Sequence, residues 1–227
     1  MDFLTTYNPT SHKKRRVGKD NDGGYIIIDG LVYDCIITAG IQNDVSFEQD
    51  INVIYPKLPL YMYDNSIDEL PNGFNKGEFR KEKIAADNVL KPLFDKYKNI
   101  LVKMDVEGWE NHWFPSLPDS DILKIKQLVI EWHGITYSEP TMKRLALTHD
   151  LVHVHANNYG GFDVIGSQNI PRILECTYVR KGVISVELNR QPLPSAIDMP
   201  NNKALPDLDL NFKPFVNEYE RLCNTGI

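Results

Sequence analysis

At 227 residues, 42% of them apolar, the chain is long and hydrophobic enough for one globular domain with a sizeable core, which argues against disorder. A net charge of −6 argues against a broad nucleic-acid-binding face. No apolar stretch reaches the roughly 18 residues of a membrane-spanning helix, and no signal-peptide core is seen, so a soluble cytoplasmic protein without a transmembrane segment is expected.

Cys35, Cys176 and Cys223 show neither metal spacing nor a pairing pattern, which fits a reducing compartment. The basic run His12-Lys-Lys-Arg-Arg16 reads as solvated surface near the terminus. Tyr25–Ile28, between Gly23-Gly24 and Asp29-Gly30, reads as a strand or hairpin arm ahead of the sheet. Tyr33–Thr38 follows as a buried strand. Phe47, Ile51 and Ile54 then recur at helical spacing behind the capping pattern Ser46-Phe-Glu-Gln49, with Asp44 as an alternative cap.

Leu60–Tyr63 reads as a second strand, and a third is expected to run into Ile84-Ala85-Ala86. A helical stripe from Val89 to Tyr97 has Asp87 as its expected cap. Further on, strands are expected over Ile100–Met104, Leu128–Trp132, Leu151–His155 and Leu174–Val179, with another over Val183–Leu188. Helices are expected over Trp109–Leu117 and from Ser138-Glu-Pro140 onward, proline falling in the first turn. Residues 190–227 are rich in Pro, Asn and Asp and read as an arm on the same domain, helix-like only around 215–222. Alternating strands and helices predict a single α/β domain, mostly parallel, with helices on both faces.

Four apolar runs end in small or charged residues: at Ala39-Gly40, at Asp64, at Asp105-Val-Glu107-Gly108 and at Glu131-Trp-His133. Ligands of an open α/β sheet bind beyond the carboxyl ends of its strands, so these residues mark one candidate site. Ala39-Gly40 lets a ligand approach the backbone. Gln42 and Asp44 occupy places where a dinucleotide loop needs glycine, and Asp44 would repel a pyrophosphate. An acid such as Asp64 accepts both hydroxyls of a ribose. A nucleoside without phosphates that carries positive charge describes S-adenosylmethionine.

In order, Gly18-x3-Asp22-Gly-Gly-Tyr25, Ala39-Gly-Ile-x2-Asp-Val-Ser-Phe-Glu48, Lys103-Met-Asp-Val-Glu-Gly-Trp-Glu110 and Val129-Ile-Glu131 resemble the FkbM-like S-adenosylmethionine-dependent methyltransferases. Val152-His-Val-His-Ala-Asn-Asn158, Glu175-Cys-Thr-Tyr-Val-Arg180 and Leu193-Pro-x3-Asp198-x-Pro-Asn201 are similar to one branch of that family. The resemblance implies a Rossmann-like class I methyltransferase domain acting on oxygen, with a sugar or glycan as acceptor. It places Gly40, Asp44, Ser46 and Phe47 at the methionine end of the cofactor and Asp64 with Asn65 at the ribose. It puts Ile84 and Ala85 beside the adenine and makes the segment holding Asp22, Gly24 and Tyr25 a loop that closes over the cofactor; as a bare turn, the same glycines serve only its geometry.

Methyl transfer to an alcohol calls for a base or a metal. His133, at a strand's carboxyl end, is the first candidate for the base and His155 the second, with Asp105 beside them; His153 reads as structural. Asp105 and Glu131 offer hard oxygen ligands for a divalent metal such as Mg²⁺. Trp109, Asn157 and Asn158 join the two histidines as candidate acceptor contacts. Two rival readings are a metal-dependent glycosyltransferase, from the D-x-D-like Asp20-Asn-Asp22, and a non-catalytic glycan-binding module on the same fold.

Overall fold

The computed structural model describes residues 2–217. Part of the helix expected at 215–222, and Cys223, lie outside the described residues.

The apolar runs become strands of one seven-stranded sheet: β4 (Cys35–Ala39), β5 (Leu60–Tyr63), β6 (Glu78–Arg80), β7 (Ile100–Met104), β8 (Ile125–His133), β9 (His149–Ala156) and β12 (Ile173–Arg180). Their order is β6-β5-β4-β7-β8-β12-β9. Neighbours from β6 to β8 pair in parallel, while β12 is antiparallel to both β8 and β9. All residues of β4 and β7 are buried, as central parallel strands covered on both faces must be.

Strand alternation divides the core. Cys35, Ile37 and Ala39 of β4 join one cluster and Ile36 the other. The first cluster packs under helices α2 (Lys91–Lys96), α3 (Glu110–Ser116) and α5 (Ile135–Leu145), which contribute Phe94, Trp113 and Met142. The opposite face is covered by α1 (Ser46–Ile54) and by an antiparallel hairpin of β2 (Lys14–Val17) and β3 (Tyr25–Ile28). The Gln127 side chain accepts from Ile28 N at 2.9 Å and ties that hairpin to the sheet. A short helix α4 (Asp119–Ile122) leads into β8.

Several boundaries differ from the sequence reading. The basic run is not loose surface: Lys14, Arg15 and Arg16 sit in β2, paired with β3. The third sheet strand is only Glu78–Arg80 and ends before Ile84. Helix α2 begins at Lys91 with Pro92 in its first turn, so Asp87 is not its cap. Helix α5 begins at Ile135 behind Gly134, whose φ of 81° suits glycine, so Pro140 stands inside the helix.

A second hairpin, β10 (Phe162–Ile165) with β11 (Gln168–Pro171), was not foreseen. The last strand, β13 (Val186–Leu188), pairs with β1 (Tyr7–Pro9) outside the main sheet. The arm after residue 190 packs on the core through Leu193, Leu210, Phe215 and Val216.

Candidate functional site

Strand order reverses between β4 and β7, and it is beside such a switch point that the crevice of a doubly wound sheet opens. Asp105 N donates to Ala39 O at 3.0 Å, drawing the two strand ends together. Gly40 has a φ of 80°, and a Cβ there would lie 1.5 Å from the Asp105 carbonyl oxygen. No other residue fits this backbone approach.

Two cavities meet at this point and share Gly40, Gln42, Asp105 and Glu107 as walls. The first, about 250 Å³, is bounded by Asp22, Tyr25, Asp44, Phe47, Glu131, His133 and Asn157, among others. The second, about 190 Å³, is bounded by Asp64, Asn65, Lys83, Ile84 and Trp109, among others.

Asp64 staples the loop between them. Its Oδ2 accepts from Ile41 N and Gln42 N at 2.8 and 2.7 Å, and its Oδ1 accepts from Ser66 N and Ser66 Oγ, both at 2.6 Å. Burial opposes the charge, but these hydrogen bonds prevail and hold the Asp64 carboxyl below the usual carboxylate range. Asp44 accepts from Ser46 N at 3.0 Å and pairs with Lys19 at 2.9 Å; the N-cap of α1 is Val45, with Ser46 already the first helical residue, so neither expected cap is realised.

Around His133 the chain builds a tight polar cluster. Glu110, fully buried, accepts from His133 N at 2.8 Å and meets the ring Nδ1 at 3.1 Å. That leaves Nε2 facing Glu107, Glu131 and Asp105 at 3.5, 3.6 and 4.0 Å. Burial pulls the ring towards its neutral form, yet the bond and charge of Glu110, with the charges of Asp105 and Glu107, hold His133 above the ordinary histidine range. Tyr25 Oη donates to Asp105 at 2.9 Å and lies 3.4 Å from Glu131. Asn157 donates to Glu131 at 2.9 Å. Burial first, and then the charges of Asp105 and Glu175, push Glu131 well above the carboxylate range. Asp105, Glu131 and His133 each offer a ligand atom, all within 4.8 Å of one another, which suits a metal ion.

Other expected site residues lie elsewhere. His155 is 2% exposed and does not line either cavity. Its Nδ1 meets Glu175 at 2.9 Å and its Nε2 meets Asp207 at 3.0 Å, so neither nitrogen is free to accept an acceptor's proton. Burial opposes its charge, but the two carboxylates raise its pKa to about 10. His153, buried and bonded to Asp198 at 2.8 Å, holds the same arm. Asn158 donates to the carbonyls of Asn202 and Pro206 and is structural in position. Trp109 lies in the wall of the smaller cavity, under the Lys83 ammonium, rather than beside His133. Of Ile84 and Ala85, both expected beside the adenine, only Ile84 lines that cavity. Gly24 and Ser46 support the loop from behind: Gly24 packs against Lys19 O, and Ser46 Oγ accepts from Lys19 N. Of Asp20-Asn-Asp22, only Asp22 borders the larger cavity, and Asn21 donates to Pro200 O of the arm.

Sequence reading passed over Glu48, Lys103 and Glu110 as site residues. All three stand in quoted motifs, and Lys103 interrupts an otherwise apolar strand, which was the available signal.

No protein-family profile and no curated protein matches the chain. Among solved structures it is similar to TrmN from Thermus thermophilus, at 12% identity over 64% of this chain and 43% of that one, with a TM-score of 0.39. It is also similar to precorrin-6y C5,15-methyltransferase from Geobacter metallireducens, at 9% identity over 66% and 83% of the two chains, again with a TM-score of 0.39. The match spans less than half the length of TrmN. Strand order and direction therefore carry the assignment, with the last sheet strand inserted antiparallel between the fifth and the sixth. The fold is that of a Rossmann-like class I methyltransferase. Among the described residues no helix is long and apolar enough to cross a membrane.

Proposed function

We propose that this chain is an S-adenosylmethionine-dependent O-methyltransferase of FkbM-like type, acting on a hydroxyl of a sugar or glycan. The observation that carries the reading is the crevice where Gly40 meets Asp105, flanked by one cavity at Asp64 and another at His133. The smaller cavity suits the adenosine, with Ile84 and Trp109 as apolar walls. The larger suits the amino-acid end and the acceptor. Its carboxylates Asp22, Asp44, Asp105 and Glu107 tolerate a sulfonium and a neutral polyol but repel a phosphate backbone.

When bound, S-adenosylmethionine supplies a methyl group on a positively charged sulfur. The chain's own part is to hold an acceptor hydroxyl in line and to take its proton as the new O–C bond forms and the C–S bond breaks. His133 Nε2 takes that proton. Glu110 fixes the ring through Nδ1, and the surrounding carboxylates stabilise the imidazolium that results, the logic of a carboxylate-oriented histidine base.

A second reading is favoured by one observation, the convergence of Asp105, Glu131 and His133 within 4.8 Å. These residues would hold a divalent cation such as Mg²⁺, and the cation would acidify the acceptor hydroxyl directly. The deciding experiment is methyl transfer from S-adenosylmethionine to a panel of oligosaccharides, with and without chelator, read by mass spectrometry. Turnover that survives chelation supports the histidine base, and turnover abolished by chelation supports the metal. Binding of a nucleoside diphosphate in place of the S-adenosyl cofactor would favour a glycosyltransferase instead.

A further inference from the structure

The chain leaves β9 at Ala156 and re-enters the sheet at Ile173 of β12, whose register partner on β8 is His133. Residues 157–172 therefore rise from the edge of the sheet that carries the proposed base. They are fastened there at several points. Asn157 donates through Nδ2 to Glu131 at 2.9 Å, and its Oδ1 accepts from Tyr159 N at 2.9 Å. Gly160 packs on Ile173, where an added Cβ would lie 3.0 Å from the side chain, and both Tyr159 and Ile173 belong to the wall of the larger cavity. On the β10–β11 hairpin, Asp163 accepts from Arg172 Nε at 3.0 Å and from Thr136 N and Oγ1, at the start of α5, both at 3.4 Å.

Alternation along β10 decides what faces outward. Asp163 is tied down on one face, so Phe162 and Val164 lie on the other, where they are 50% and 69% exposed. Tyr159 is 62% exposed although it lines the cavity. Among the described residues four aromatic side chains are exposed: Trp109, Tyr137, Tyr159 and Phe162. All four follow the carboxyl ends of β7, β8 and β9, at the site's edge of the sheet, and none stands at the opposite edge. A single exposed ring is ordinary, but rings gathered at one edge beside a cavity mark a ligand surface.

We infer that Tyr159 and Phe162 form a stacking platform for a saccharide chain, so that the acceptor is an oligosaccharide with its reactive ring in the larger cavity and its next ring on the platform. The inference rests on the O-methyltransferase reading and adds which form of sugar that site takes. Tyr159 makes the two surfaces continuous, being at once a wall of the cavity and the start of the exposed stretch. The electron-rich face of an aromatic ring attracts the C–H face of a sugar, while the Tyr159 hydroxyl meets the sugar's own hydroxyls at the rim. Asp163 and Arg172 are the only charges in residues 157–172, and they pair with each other. The platform thus offers nothing to an ionic partner, and the carboxylates of the cavity beside it repel an anionic one. A neutral sugar chain suits both surfaces.

Calorimetry with tetramers and monomers of glucose, mannose, N-acetylglucosamine and rhamnose, in the presence of S-adenosylhomocysteine, reads binding apart from turnover. At least one tetramer should bind about 10-fold or more tightly than its monomer, as an added stacked ring provides. Tyr159→Ala and Phe162→Ala should each remove most of that advantage, while Tyr159→Phe, which keeps the ring, should stay within about 2-fold of wild type. Both side chains are exposed, so the variants should melt with wild type. Should one melt low, the wild-type ratio of tetramer to monomer still decides. A tetramer bound no more tightly than its monomer, Ala variants that bind it as wild type does, or no saccharide bound at all would overturn the platform, even if a monosaccharide is methylated. Binding of phosphatidylcholine vesicles without any saccharide would make the surface a lipid contact and overturn it too. A tetramer that binds through both rings but gains no methyl group from S-adenosylmethionine supports the platform, and it is then the O-methyltransferase reading that falls.

Discussion

Glu110 holds His133 at two points, accepting from its backbone N–H at 2.8 Å and meeting its ring Nδ1 at 3.1 Å. This double contact fixes which ring nitrogen faces the cavity. Glu110→Gln should lower kcat by roughly 10–100-fold, the usual cost of losing a group that orients a working histidine. His133→Ala should lower it by roughly 10²–10⁴, with affinity for S-adenosylhomocysteine intact. Steady-state kinetics alongside calorimetry is the check, and cofactor affinity that falls in step with kcat would show both residues to be structural.

Asp64 already uses its four acceptor positions, two of them on Ser66. A ribose diol reaches it only by displacing the one side-chain partner, the rotatable Ser66 hydroxyl. Ser66→Ala should therefore bind S-adenosylhomocysteine at least as tightly as wild type. Asp64→Ala should weaken binding by about 1.5–3 kcal/mol and lower the melting temperature as well, since Ile41 and Gln42 lose their acceptor. If Ser66→Ala weakens binding as much as Asp64→Ala does, the ribose does not lie on Asp64.

Asp105 is half-buried and accepts a side-chain hydrogen bond from Tyr25. Asp105→Asn keeps the size of the side chain and removes the charge next to His133. It should melt close to wild type while turnover falls by about 10² or more. A large drop in melting temperature with a matching drop in activity would mark Asp105 as a brace of the sheet.

The His155 cluster governs stability against pH. Its folded pKa of about 10 exceeds the unfolded value of about 6.5 because Glu175 and Asp207 outweigh burial. Its contribution is therefore full below about pH 6.5 and is lost as pH rises towards 10. Urea midpoints measured from pH 6.5 to 10 should fall more steeply for wild type than for His155→Gln, by an amount on the order of a few kcal/mol at the upper end. Parallel curves would show that His155 is not charged in the folded chain.

Much of the fold was legible because parallel strands buried on both faces must be apolar throughout. Thus Cys35–Ala39, Leu60–Tyr63 and Ile100–Met104 stand out as short apolar runs with charge at their ends. The edge strand Glu78–Arg80 did not, because it has one neighbour and no buried residue to mark it. Lys14 to Val17 looked like a charge cluster, whereas its alternating exposure is that of a hairpin arm. At the site, Gly40, Asp64, Asp105 and His133 were readable from their places at strand ends. His155 was misleading, because a sequence shows that His153 and His155 share a strand face but not that the arm bearing Asp198 and Asp207 covers it. Glu110 and Lys103 meet partners distant in sequence, His133 and the Gly40 carbonyl, and local spacing does not show those partners.

Methyl transfer itself is the most direct test. Purified protein incubated with S-adenosylmethionine and a panel of oligosaccharide acceptors should yield S-adenosylhomocysteine and a singly O-methylated sugar in equal amounts, with His133→Ala nearly inactive. Tight binding of S-adenosylhomocysteine with no methylated product from any acceptor would contradict the account and leave a cofactor-binding module on a methyltransferase fold.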